Sequence, residues 1–267
     1  MTIDCWNPET LDQDLLDLIN LNKDLVLDFY AESARLMDEH LKSDPDESLK
    51  PNRYARRFNQ FRDYVFKEAM MSRRIRAWHY TRLTDRERVE ILNGIHPSTP
   101  GMLQKRVNAL VGDGLLDKAE AEQICRESVL NDQRQKRAGK FYMTSSPLPV
   151  TDSGVTDLVG HWGGEVAYFG RGNRPLNERL KAIGSASVVE LSFCVSDCSN
   201  AFSTGQLILA AWARAQGLKE SEPYDADLWI TSGFDEVQVH VVHTTGTTDF
   251  ENLGKSYPAG SSKHLKK

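Results

Sequence analysis

No stretch of this 267-residue chain approaches the ~20 uninterrupted apolar residues needed to span a bilayer, so the sequence offers no membrane anchor. The opening Met1-Thr2-Ile3-Asp4 lacks a basic start and an apolar run, so no secretory signal is expected and the expected compartment is the cytoplasm. Four cysteines, Cys5, Cys125, Cys194 and Cys198, are too few and too scattered for a disulfide framework. Cys194 and Cys198 also lack the tight pair and the second ligand pair of a zinc site. Gly254-Lys255-Ser256 resembles the end of a phosphate-binding loop, but Asp249 stands where that loop requires glycine. Gly170-Arg171-Gly172 lacks the third glycine of a dinucleotide fingerprint, Pro175 occupying its place. Neither a Gly-x-Ser-x-Gly elbow nor a His-Glu-x-x-His motif occurs. Ordinary hydrolase and Rossmann chemistries therefore have little support.

What is present suits a self-sufficient fold. Hydrophobic residues make up 40% and charged residues 27%, enough to bury a core without disulfides or metals. A net charge of −5 and a pI near 5.8 do not mark a nucleic-acid binder. The charge is nevertheless uneven. Residues 1–50 hold thirteen acids against four Lys or Arg, whereas residues 51–76 hold eight Lys or Arg against two acids. The basic helix 53–76 reads either as a solvated face or as a phosphate-contacting or partner-docking surface.

Apolar residues at three- and four-residue steps predict a helix over residues 10–42, interrupted by the polar run 43–48. A second helix is expected from Asn52 to Arg73, with Tyr54, Phe58, Phe61, Tyr64, Val65 and Phe66 as its apolar stripe. These elements make residues 1–74 a helical N-terminal region. From Ile75 the pattern changes to strand through Thr81, and Thr84-Asp85-Arg86-Glu87 is a capping box for a helix that stops at Gly94. Thr99-Pro100 starts another helix, where proline's missing N–H costs nothing, and 117–128 reads as a third. Short strands are expected at Lys140–Thr144, Ser187–Val195, Asp227–Thr231 and Glu236–His243, with an apolar helix at Gln206–Ala215. Residues 246–267 read as a flexible polar tail. The fold class is α+β.

Three features remain in order. Trp78-His79-Tyr80-Thr81 precedes a helix ending Ile91-Leu92-Asn93-Gly94-Ile95. Gly139-Lys140-Phe141-Tyr142-Met143-Thr144-Ser145-Ser146 follows. Tyr224-Asp225-Ala226-Asp227-Leu228-Trp229-Ile230 comes last. This order resembles the ADP-ribosyltransferase superfamily, in particular its poly-ADP-ribose polymerase-like and DNA-targeting toxin branches, over residues 75–243. The resemblance implies a split, mostly antiparallel sheet of ADP-ribosyltransferase type spanning 75–245. It implies NAD as substrate, cleaved at the nicotinamide–ribose bond through an oxocarbenium-like sugar, where positioning and charge stabilisation dominate.

By the same resemblance, His79 holds a ribose hydroxyl with Thr81 assisting, and the backbone at Tyr80 meets the carboxamide. Tyr142 stacks on the nicotinamide ring, and Ser145 supports the pocket. Asp227, with Asp225 before it, supplies the catalytic acid in a position usually held by glutamate. Glu236, Glu165 and Glu190 are remoter options. Each residue also has an ordinary structural use: His79 as a hydrogen-bonded strand-end histidine, Tyr142 as core packing, Asp225 and Asp227 as turn formers after Pro223. The run His161-Trp162-Gly163-Gly164-Glu165 suggests close backbone approach to a ligand or to packed structure.

The activity implied is ADP-ribosyl transfer to a protein or nucleic acid, in the setting of an intracellular toxin or defence effector. A catalytically inactive module of the same fold, binding a nucleotide, nucleic acid or protein, is the alternative, as is an RNA 2′-phosphotransferase-like enzyme.

Overall fold

The computed structural model describes residues 2–42, 50–168, 174–218 and 225–255. The expected break at 43–48, the Gly170–Gly172 run, Pro223-Tyr224 and the tail from 256 onward lie outside the described residues. The architecture is α+β. Six strands form one sheet: β1 (Thr2–Ile3), β2 (Arg74–Leu83), β3 (Phe141–Thr144), β4 (Ser185–Cys194), β5 (Asp227–Ile230) and β6 (Gln238–Thr244). Their order is β5-β3-β2-β4-β6, all antiparallel, and β1 adds a short parallel pairing to the start of β2.

The central strand is longer than its sequence signal. The expected Ile75–Thr81 strand extends to Arg74–Leu83 because β4 pairs with it at all ten residues, from Arg74↔Cys194 to Leu83↔Ser185. On the other side β2 meets β3 at a single pair, Trp78↔Thr144. Beyond that pair the two strands part. The segment Ser98–Thr99 enters the opening, with Ser98 N–H donating to the Lys140 carbonyl at 2.9 Å and Gly139 N–H donating to the Ser98 carbonyl at 2.8 Å.

Residues two apart along a strand share a face. Ile75, Ala77, Met143, Leu191, Phe193, Leu228 and Ile230 therefore form an inner face, and all are buried in one cluster. Helices α1 (Gln13–Leu21), α2 (Lys23–Lys42), α3 (Ala55–Gln60), α4 (Lys67–Met70) and the long α13 (Ala201–Ala215) contribute Leu15, Val26, Phe58, Met70 and Leu209 to the same core. The N-terminal segment is thus cemented to the sheet through shared apolar burial, the dominant favourable term in folding.

The expected single helix over 10–42 is two, parted at Asn22, whose amide donates to the Leu18 carbonyl at 2.9 Å. Between α3 and α4, Phe61–Phe66 widens into a π-helix. The capping box is present as expected: Thr84 Oγ1 accepts from Glu87 N–H, and Glu87 reaches back to Thr84, opening α5 (Asp85–Leu92). Thr99 caps α6 (Pro100–Gly112) through Met102 N–H.

A second apolar cluster joins α6, α7 (Lys118–Arg126) and α8 (Val129–Asp132), which precede α9 (Arg134–Arg137), to Trp162 and α12 (Arg174–Ala182). On the outer face of the sheet, Trp78, Tyr80 and Val188 pack under Val155 and Val159 at α10 (Thr156–Gly160) and under Phe250 of α14 (Thr248–Asn252). Helix α11 (Glu165–Tyr168) begins in the His161–Glu165 run. Among the described residues no helix is long and apolar enough to cross a membrane.

Candidate functional site

Where β2 leaves β3, a cavity of about 140 Å³ opens between the sheet and helices α5 and α6. His79, Thr81 and Phe141 form its floor, Glu87, Glu90 and Ile91 one wall, and His96, Ser98, Thr99, Met102 and Arg106 the other. A wider, more polar chamber of about 290 Å³ adjoins it and shares Glu87, Glu90, His96, Met102 and Arg106, adding Arg86, Asn93 and Lys105.

His79 is fixed by the parting of the strands. Its Nδ1 lies 2.8 Å from the Tyr142 carbonyl, which only accepts, so Nδ1 carries the proton and Nε2 is left as an acceptor. Its ring lies 4.3 Å from that of Phe141. The ring is walled in by protein, with an edge left open to the cavity. Burial, and to a smaller degree the Arg106 charge, lowers its pKa to about 4 against the opposing effect of the Tyr142 bond. The histidine is neutral at physiological pH. Thr81 lines the same cavity and is buried.

The side chains of the remaining residues implied by the resemblance are elsewhere, the role implied for Tyr80 being that of its backbone. Tyr80 turns outward, and its hydroxyl donates to the Leu148 carbonyl at 2.8 Å in the outer cluster. Tyr142 also points outward, because Phe141 takes the cavity side and side chains alternate. Its ring lies 5.8 Å from that of Trp229, and its hydroxyl donates to the Lys136 carbonyl. Ser145 is 1% exposed, and its Oγ accepts from Ala226 N–H at 2.8 Å, a clamp on the start of β5.

Asp227 pairs with Thr144 and faces outward, exposed to solvent. Asp225 is partly buried near it, and its pKa is raised by burial and then by the charges of Asp227 and Asp152. Glu190 belongs to an outer-face cluster, bonded to Arg76 at 2.7 Å and to His243 at 3.2 Å. Glu165 pairs with Arg137. The structure thus brings His79 and Thr81 together in the cleft and separates them from Tyr142, Asp225 and Asp227.

The carboxylates at the cleft are Glu87, which motif spacing marked only as a helix cap, and Glu90, which it did not mark at all. Glu87 is 7% exposed and heavily engaged. It receives Thr84 N–H at 2.9 Å, Trp162 Nε1–H at 2.9 Å and Arg106 Nε–H at 2.7 Å. Burial pushes its pKa up, but the Arg106 charge and these hydrogen bonds together outweigh burial and leave it lowered. Glu90 is exposed at the mouth, 3.9 Å from Arg86.

Trp162 is fully buried beneath the Arg106 guanidinium, 4.5 Å from it to the ring centre. Here the two glycines of the His161–Glu165 run find their reason in packed structure. Gly163 has φ +80°, and a Cβ on it would lie 2.5 Å from that of Ala167 on α11. The tight turn lets Trp162 reach the cleft network while α11 closes behind it.

No family model matches the chain, and neither a curated protein nor a solved structure matches it.

Proposed function

We propose that the cleft over β2 binds NAD and that the chain transfers ADP-ribose from it to a macromolecular acceptor, protein or nucleic acid, in the manner of the ADP-ribosyltransferases it resembles. The observation that carries this reading is His79. A neutral imidazole, locked in one tautomer by the Tyr142 carbonyl, borders with Thr81 a cavity floored by an aromatic ring. Such an arrangement suits a flat ring and an adjoining ribose hydroxyl, the hydroxyl donating to Nε2.

In the reaction the bond from ribose C1′ to the nicotinamide nitrogen breaks, and its electron pair leaves with nicotinamide. An acceptor oxygen or nitrogen bonds to C1′ and gives up its proton. A carboxylate near C1′ stabilises the positive charge that develops on the sugar. Phe141 takes the stacking role expected of Tyr142. Glu90, at the mouth and free of the network that holds Glu87, takes the acidic role expected of Asp225 and Asp227.

One observation favours a second reading, a binding module without catalysis: the acids on β5 and just before it stand across the sheet from His79. Incubation with NAD labelled in its adenylate and with a mixed cell lysate separates the two. Release of nicotinamide with transfer of label supports the transferase, and Glu90→Gln is expected to slow it at least ~100-fold. NAD binding without release supports the module. Absence of both binding and release sinks both readings.

A further inference from the structure

Arg106, half-buried at the junction of the two chambers, carries more donors than it has partners. Arg106 uses its Nε–H on Glu87 at 2.7 Å and rests on the Trp162 ring. Its Nη2 is sealed from solvent and has no hydrogen-bond partner, and no described group engages Nη1. A buried donor without a partner costs about 1–3 kcal/mol, so a native fold that keeps one holds it for something. The Arg106 charge offsets that of Glu87 through Nε–H on one oxygen, and Thr84 and Trp162 satisfy the other, so Nη2 is not needed to complete the hydrogen bonding of that carboxylate.

The surroundings select the charge of what it binds. Arg86, Lys105 and Arg106 face two carboxylates, Glu87 and Glu90, in the outer chamber. Both carboxylates also have arginine neighbours. Lys105 is exposed, and no described carboxylate pairs with it. Arg86 is paired with Asp113 at 3.0 Å and lies 3.9 Å from Glu90, so the charge open to an anion is that of Lys105 and of Arg106, whose planar guanidinium is held on one side by Glu87 and beneath by Trp162.

We infer that Arg106 is an anion anchor: it binds a phosphate or pyrophosphate group of the ligand in the outer chamber, with Lys105 beside it and with Glu87 and Trp162 holding it in place. The ligand class is a phosphate ester whose flat ring end enters the inner cavity beside His79. This inference deepens the dinucleotide reading and can fail separately from it. Arg106 touches the ligand, whereas Glu87 and Trp162 are positioning residues.

The test is calorimetric titration of inorganic pyrophosphate, and separately of NAD, into the full chain and into Arg106→Lys and Arg106→Gln, with thermal melting as the check on folding. Pyrophosphate is expected to bind the unaltered chain. Arg106→Lys, which keeps the charge opposite Glu87 but not the fork, is expected to weaken binding about tenfold, and Arg106→Gln about a hundredfold. Should Arg106→Gln fail to fold, Arg106→Lys decides. Pyrophosphate binding that is absent, or unchanged in the folded variants, overturns the anchor. Arg106-dependent pyrophosphate binding without NAD binding upholds the anchor and removes the NAD reading. NAD binding equally to the variants and to the unaltered chain does the reverse.

Discussion

The two faces of one sheet are made by the same strands and treated in opposite ways. On the inner face β2 and β3 part after Trp78↔Thr144, and the opening exposes His79, whose Nε2 is left as an acceptor, beside Thr81. On the outer face the corresponding polar groups are tied to neighbours. Tyr80 bonds to Leu148, Tyr142 to Lys136, Glu190 to Arg76 and His243, and Ser192 to His240 at 3.0 Å. A cleft forms where strand pairing stops and a loop enters. Where pairing continues, polar side chains have neighbours to bond and become structure.

Several substitutions break or sharpen that contrast, the largest first. Trp162→Ala is expected to destabilise the fold by about 3–5 kcal/mol in chemical denaturation, since it removes a fully buried indole, the Trp162–Glu87 bond and the support of Arg106. A loss under ~1 kcal/mol would mean the cleft wall is not built on this residue.

Phe141→Leu and Tyr142→Leu test the two faces at adjacent positions. Phe141 is 6% exposed and packs its ring at a tilt against His79, so Phe141→Leu is expected to cost about 1–3 kcal/mol and to weaken NAD binding. Tyr142→Leu is expected to cost about 1 kcal/mol and to leave NAD affinity unchanged. The reverse order of binding effects would place the ligand on the outer face.

Acidification probes His79 directly. Its pKa is about 4 when folded, against a model-peptide value near 6.5, so the unfolded chain takes up the proton first. Stability from this group is therefore full above pH ~6.5 and falls as the pH drops toward ~4, by on the order of 3 kcal/mol in all. His79→Gln should flatten that part of the stability profile. An identical profile in the variant would mean that His79 is not the titrating group.

The smallest expected effect is at Asp227. Because it is exposed on the outer face, Asp227→Asn should change stability by under ~0.5 kcal/mol and nicotinamide release by less than ~2-fold. A large loss of release would return the acid to β5 and undo the assignment of Glu90.

The parts of the molecule legible from sequence are those governed by near neighbours. The Thr84–Glu87 capping box, the Thr99 cap, and the strand identities at Phe141 and Asp227 depend on bonds or alternation within a few residues. His79 and Thr81 fall at the cavity. Other outcomes depended on pairing across the chain. Whether Phe141 or Tyr142 faces the cavity is a matter of one residue of register, and a one-residue slip exchanges the faces. Asp227 follows the same register to the outer side through Thr144.

Glu87 and Arg106 were invisible for another reason. A capping glutamate and a helix arginine 19 positions apart look like surface residues until Trp162, 75 positions beyond Glu87, packs against both. The extent of β2 shows the same dependence, since β4 carries the pairing to Leu83. Gly184 then lets the chain enter β4 beside the α5 cap: its φ is +66°, and a Cβ there would lie 2.4 Å from the Leu83 carbonyl oxygen.

The π-helical turn at Phe61–Phe66 is a count of residues as much as a shape. In an α-helix, residues five apart stand about 140° away from each other around the axis, so Phe61 and Phe66 would not both point inward. The wider turn brings them to one side, where both are buried with ring centres 5.9 Å apart. One of the six residues is therefore an accommodated insertion. Deleting a single exposed position such as Tyr64 would close the turn to α-geometry and leave the Arg53–Arg57 segment facing as it does relative to Met70. A shortened chain of that kind would keep both phenylalanines on the buried side, four positions apart, as an ordinary helix places them.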